Sequence, residues 1–171
     1  MSNFNFYRNI KTLRENGCVS DEQLINALIK QFITIDEYKT ILGTDELAID
    51  GIKAACIAKT KTDLETYLAT HPYTTEDGKQ YSVTTEKQNL LANEIASYQL
   101  ATAASQPYQL TWNTAGNECT NFTIEEISAL AIAINTYVKP MVSYQQAQEV
   151  AIRNASTIDD VLAINTDYAS V

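Results

Sequence analysis

The sequence predicts an α+β fold that is mostly helical: a short N-terminal helical unit, then long helices packed with a small β-hairpin. Three observations carry this expectation. Helix-start signals recur along the chain, each ahead of apolar residues at three- and four-residue spacing. Two segments rich in Thr and aromatics flank a turn at Asn113–Asn117. Apolar residues make up 45% and charged residues 19% of the 171, which is enough apolar material to bury a core.

The start signals pair Ser or Thr with Glu or Gln three residues later, so that each side chain satisfies a backbone donor in the first turn. They are Ser20 with Gln23, Thr34 with Glu37, Thr62 with Glu65, Thr85 with Gln88 and Thr123 with Glu126. Thr157 with Asp160 is a weaker version. A first helix runs from about Phe4 to Asn16, stops at Gly17, and aligns Phe6, Ile10 and Leu13 on one face. A second starts after Ser20 with Leu24, Ala27 and Leu28. A third starts after Thr34 and ends at Gly43, whose residue type suits a left-handed helix end. These three form one compact unit over residues 1–43, with the remainder, 44–171, as a second domain.

A fourth helix is expected from Asp45 to Lys59, with Leu47, Ile49, Ile52 and Cys56 inward. A fifth follows Thr62 and ends at His71-Pro72. Gln80–Thr84 alternates as a short strand, and a long helix spans about Thr85 to Ala104. Gln109–Trp112 and Glu118–Phe122 read as the two arms of a hairpin. A further long helix begins after Thr123. Pro140 lies inside it and predicts a kink or a break. A last short helix follows Thr157.

Charge and composition exclude several function classes. Lys and Arg number 12 against 21 Asp and Glu, a net charge of −9, which is ill suited to neutralising phosphate backbones. No nucleic-acid partner is expected. The start, Met1–Phe6, has no basic region leading into an apolar run, so no secretory signal is expected. No stretch reaches the roughly 20 apolar residues that span a bilayer, so no membrane partner is expected either. Cys18, Cys56 and Cys119 are odd in number and far apart, which favours free thiols in a reducing compartment.

Catalytic chemistry finds little support. His71 is the single histidine, and a triad or Cys–His pair would have to use it. With three Cys and one His, none closely paired, a zinc site is not expected. The pairs Glu125-Glu126 and Asp159-Asp160 lie in first turns of predicted helices, where negative charge offsets the helix dipole. The five glycines are isolated and make no phosphate-cradling loop. The chain is therefore read as a non-enzyme, with no catalytic, metal or cofactor residues. Its ten tyrosines suit protein interfaces, being bulky and rigid with a polar tip. Phe4 and Tyr7, off the main line of the first helix, and Trp112, beside the hairpin turn, are the candidate protein contacts; the alternative is that Phe4 and Tyr7 fold back onto the Thr85–Ala104 helix and that Trp112 belongs to the core.

Two stretches carry a resemblance. Phe6 to Gly43, with its aromatic start, its Gly17 stop and the ending "ITIDEYKTILG", resembles the short XkdX-like proteins of phage tail gene clusters. From about Gly78 to Tyr168 the pattern is Gly78 with Tyr81, Trp112, "FTIEEISALAIAINTYV", "SYQQAQEVAIRNA" and "STIDDVLAI". It resembles a domain found in phage tail-fibre assembly proteins. The resemblance implies a phage tail protein that binds tail-fibre or receptor-binding proteins, with other tail proteins as further partners, and helps them fold, assemble or attach. It implies action in the host cytoplasm during assembly, with retention in the virion open. The alternative is a permanent structural subunit of the tail tip or baseplate. A homo-oligomer is compatible with either.

Overall fold

The computed structural model describes residues 4–43, 49–164 and 166–171, the side chains of Phe4 and Asn5 excepted. Its elements are α1 (Phe4–Glu15), α2 (Asp21–Ile29), α3 (Ile35–Leu42), α4 (Ile49–Thr70), β1 (Tyr73–Thr74), β2 (Gln80–Tyr81) and α5 (Thr85–Ala103). β3 (Thr111–Trp112), β4 (Thr120–Asn121), α6 (Ile124–Asn154), α7 (Ile158–Leu162) and a 3-10 turn at Tyr168–Ser170 follow. β1 pairs antiparallel with β2, Tyr73 opposite Tyr81, and β3 with β4, Trp112 opposite Thr120. The fold is mostly helical α+β, as the sequence predicts.

Four of the six expected caps form. Ser20 with Gln23, Thr34 with Glu37, and Thr157 with Asp160 each make the reciprocal pair of bonds. Thr123 and Glu126 do the same at 2.8 and 3.2 Å. At α5 the cap sits one residue earlier than expected: Thr84 accepts from the Lys87 N–H.

Thr62 starts nothing. α4 is one helix through it, where the sequence predicts two. No Gly or Pro interrupts Lys53–Thr70, and the helical phase buries Ile52, Thr60, Leu64 and Leu68 along its length. That burial outweighs a local cap. Glu65, the expected capping partner, instead accepts from the Thr85 hydroxyl. The expected start of this helix, from Asp45 through Leu47, lies outside the described residues. Pro140 breaks nothing either, since α6 runs on from Ile124 to Asn154. Val138 and Met141 are buried around it, while Thr136 and Pro140 both face solvent, so water can serve the carbonyl left without its donor. The strands are shorter than expected, and β1 was not anticipated at all.

The chain divides into two compact units. One comprises residues 1–60 and 147–166; the other comprises 61–146 and 167–171. This division does not follow the boundary expected at Gly43, of which Thr44 and Asp45 lie outside the described residues. The physical reason lies in the first core. Leu24, Leu28 and Ile33 are buried together with Ile52 and Cys56 of α4, Ile152 of α6 and Val161 of α7. Three short helices carry too little apolar surface to close a core alone. In the second unit, Val83, Leu91, Leu110, Trp112, Ile127, Ile134 and Val138 pack with Tyr168.

Helix ends generate a test. At α1, Cys18 N–H donates to the Leu13 carbonyl at 2.8 Å and Gly17 takes φ +71°. The ends of α2 and α5 make the same pattern with Gln31 (φ 58°) and Ser105 (φ 54°) in the left-handed position. A side chain there costs about 1–2 kcal/mol that glycine largely avoids. Gln31→Gly and Ser105→Gly should each raise unfolding stability by ~0.5–1 kcal/mol in denaturant titration, and Gly17→Ala should lower it by about 1 kcal/mol. A loss of stability in both glycine variants would show that these backbone angles are not held.

Candidate protein-binding site

Local turn chemistry builds an apolar groove on α1 and α2. The left-handed Gly17 turns the chain out of α1, and Arg14 ties the connection down, donating to the Val19 carbonyl at 2.6 Å and pairing with Asp21. The Schellman-type close of α2 at Gln31 then separates two adjacent apolar residues: Ile33 is buried at 2% exposure, and Phe32 stays 45% exposed. Phe32 meets Phe6 of α1 with ring centroids 4.9 Å apart. With Ile10, Leu13 and Ala27 these rings line a groove of about 400 Å³. Leu13 is 46% exposed.

The charge around it is unlike that of the whole chain. Arg8, Lys11 and Arg14 lie on α1 with Glu15 as its one acid, and Lys30 lines the groove. The groove therefore offers apolar surface with Lys30 as its one charged lining residue, while α2 begins with the acids Asp21 and Glu22, in a protein of net charge −9. Nothing in it resembles a reaction centre.

The residues singled out from the sequence are placed as follows. The Phe4 side chain lies outside the described residues. Tyr7 is half-buried and packs on the first core rather than lining the groove. Trp112 takes the core place that was the alternative to a contact role: it is 8% exposed, within the second core, with the Lys87 ammonium 5.4 Å from its ring. The strand alternates and turns its side chain inward. Leu13, expected on the inward face, and Phe32, not singled out, are the residues that reasoning missed. The one available signal for Phe32 was an apolar pair at a helix end, where one member must face away from the core.

The chemical candidates have structural partners. His71 Nδ1 lies 2.9 Å from the Tyr67 carbonyl, and its ring stacks on Tyr67 at 3.8 Å, a cap on the end of α4. Glu126 and Asp160 cap α6 and α7. Cys56 is buried, which pushes its thiol pKa up; Cys18 and Cys119 are exposed and free. Among the described residues no three His, Cys, Asp or Glu side chains gather as metal ligands, and no helix is long and apolar enough to cross a membrane.

A second cleft, of about 520 Å³, is lined by the β1–β2 hairpin, β4 and α6. Its charges are engaged within their own turns: Lys79 pairs with Asp77 at 2.7 Å, Thr75 donates to Asp77, and Glu126 accepts from Thr123. The Lys79 bond, then the Thr75 bond, hold the Asp77 carboxyl down to about 2, and the same pair pushes Lys79 up.

Residues 44–170 match the family model described as a domain of unknown function, DUF4376. The chain belongs to the DUF4376 family. No curated protein and no solved structure matches it. The DUF4376 region begins directly after Gly43, so it includes the whole second core and those parts of α4, α6 and α7 that complete the first. The groove helices α1 and α2 precede it.

The Asp77 turn gives a pH test. A carboxyl depressed in the folded state adds stability above its unfolded pKa, which is lost as pH falls through the folded value. The β1–β2 turn should therefore stay formed down to about pH 4 and loosen towards about 2. NMR titration should place the Asp77 midpoint near 2, and Lys79→Ala should raise it. A midpoint near 4 in the unaltered protein would show that the pair does not form.

Proposed function

We propose that this chain is a non-enzymatic phage tail protein that binds a tail-fibre or receptor-binding protein and assists its folding, assembly or attachment. The single observation that carries the binding role is the groove of Phe6, Leu13 and Phe32, which keeps about half of two large apolar side chains in water. Isolated exposed apolar residues are ordinary, but a concave group of them lined by aromatic rings fits an interface better than a bare surface. The resemblance of residues 6–43 and 78–168 to tail proteins supports the choice of partner.

The chemistry of the groove selects its occupant: a short apolar segment of an unfinished fibre protein, flanked by an acidic residue. The apolar side chains would seat against Phe6 and Phe32, and the acid would face Lys30. Covering an exposed Leu or Phe contributes at most about 1.5–3 kcal/mol per side chain. A handful of such contacts gives binding that is reversible, as a protein that hands on its partner requires. The work is that of shielding apolar surface in the host cytoplasm, with no bond made or broken.

Leu13→Gln with Phe32→Gln tests this. Both side chains are about half exposed, so the melting temperature should move by only a few degrees. Capture of the co-expressed tail-fibre protein from the same gene cluster should fall at least ~10-fold, equivalent to about 1.4 kcal/mol. Undiminished capture would remove the groove from the interface. Purified virions decide the mode: absence of the chain fits an assembly factor, and stoichiometric presence makes it a permanent tail subunit.

A further inference from the structure

We infer that the outer face of α5 pairs with α5 of a second copy, making the protein a two-fold dimer. Of the 19 residues of α5, only Leu91 is fully buried. The opposite face carries Glu86, Leu90, Asn93, Ser97, Leu100 and Ala104, at alternating spacings of four and three. That is the repeat of a helix–helix seam. Leu100 is 72% exposed, the most exposed large apolar side chain among the described residues, and Leu90 is 45% exposed.

Charge identifies the occupant. Each copy carries −9, so most approaches between two copies set carboxylates against one another. From Ile95 to Asn117 there is no charged residue at all, and this stretch includes the C-terminal half of α5. Glu94, at the edge of the face, has both oxygens taken: one accepts from the Tyr108 hydroxyl at 2.9 Å and the other from the Thr111 N–H at 3.1 Å. The face is thus suited to a like-charged copy of itself.

The spacing also sets orientation. In antiparallel register about Ile95, Leu90 meets Leu100 of the second copy, and Asn93 meets Ser97, an amide beside a hydroxyl. Glu86 then falls beside Ala104 of the second copy. A parallel pair would set Glu86 against Glu86. Antiparallel pairing satisfies the self-complementarity that a two-fold interface requires. The helix is about 28 Å long, so the contact is at the small end of specific interfaces and the dimer is a weak one.

Sedimentation velocity across concentration tests this on the full chain, independently of the α1–α2 groove. The unaltered protein should shift from monomer to dimer as concentration rises into the hundred-micromolar range. Leu100→Glu should weaken association at least ~100-fold, because two carboxylates would be buried in the seam. Its far-UV circular dichroism should be unchanged, as the side chain lies in solvent in one copy. If that variant fails to fold, Leu90→Lys decides in its place. Ile132→Glu, on the 68% exposed Ile132 of α6, should leave the dimer intact. A protein monomeric throughout, a Leu100→Glu variant that dimerises normally, or dissociation by Ile132→Glu instead would each overturn the assignment.

Discussion

The first core closes only because residues a hundred positions apart meet. Ile52 of α4 is fully buried, Ile152 of α6 is 1% exposed, and both pack with Leu24 and Leu28 of α2. Beside them the Lys53 ammonium donates to the Arg153 carbonyl at 3.0 Å, serving one of the last carbonyls of α6. Truncating any one of these fully buried side chains to alanine would cost about 2–5 kcal/mol, a large fraction of ordinary domain stability. The groove depends on this closure, because α1 and α2 are positioned by the apolar residues they turn inward. Ile10, Val19 and Leu24 must be covered from below before Phe6, Leu13 and Phe32 can be presented above.

That dependence explains why a domain boundary after Gly43 is visible to family comparison yet absent from the packing. The DUF4376 match begins at residue 44, but Ile52, Cys56, Ile152 and Val161 belong to the same core as the three helices before it. A sequence boundary records where a recurring segment starts. A core boundary records where apolar surface is closed, and α1–α3 have too little of it to close alone.

Legibility followed range. The caps at Ser20, Thr34, Thr123 and Thr157 were readable because donor and acceptor lie three residues apart. The left-handed ends at Gly17 and Gly43 were readable because glycine is the residue suited to them. The hairpin of β3 and β4 was visible in its turn. Thr62 misled, because a cap motif inside a helix is silent when burial on both sides holds the helical phase. β1 was invisible: a two-residue strand has no period, and its partners, Tyr81 across the hairpin and the Tyr137 ring, are distant in sequence. The site was the least legible part. Tyr7 lay off the main line of α1 and Trp112 beside a turn, and both pack on cores, while Leu13 and Phe32 stay about half exposed near the turns at Gly17 and Gln31.

The groove combines exposed apolar side chains with a concave lining of aromatic rings. His71, Glu126, Asp160 and the Asp77–Lys79 pair each complete a turn or a helix end. Hydrogen exchange on the full chain, alone and with the tail-fibre protein proposed as its partner, tests the binding role most directly. The account predicts slowed exchange in the partner's presence at amides of Ile10–Leu13 and Ala27–Phe32. Slowed exchange elsewhere, with those two segments unchanged, would contradict it.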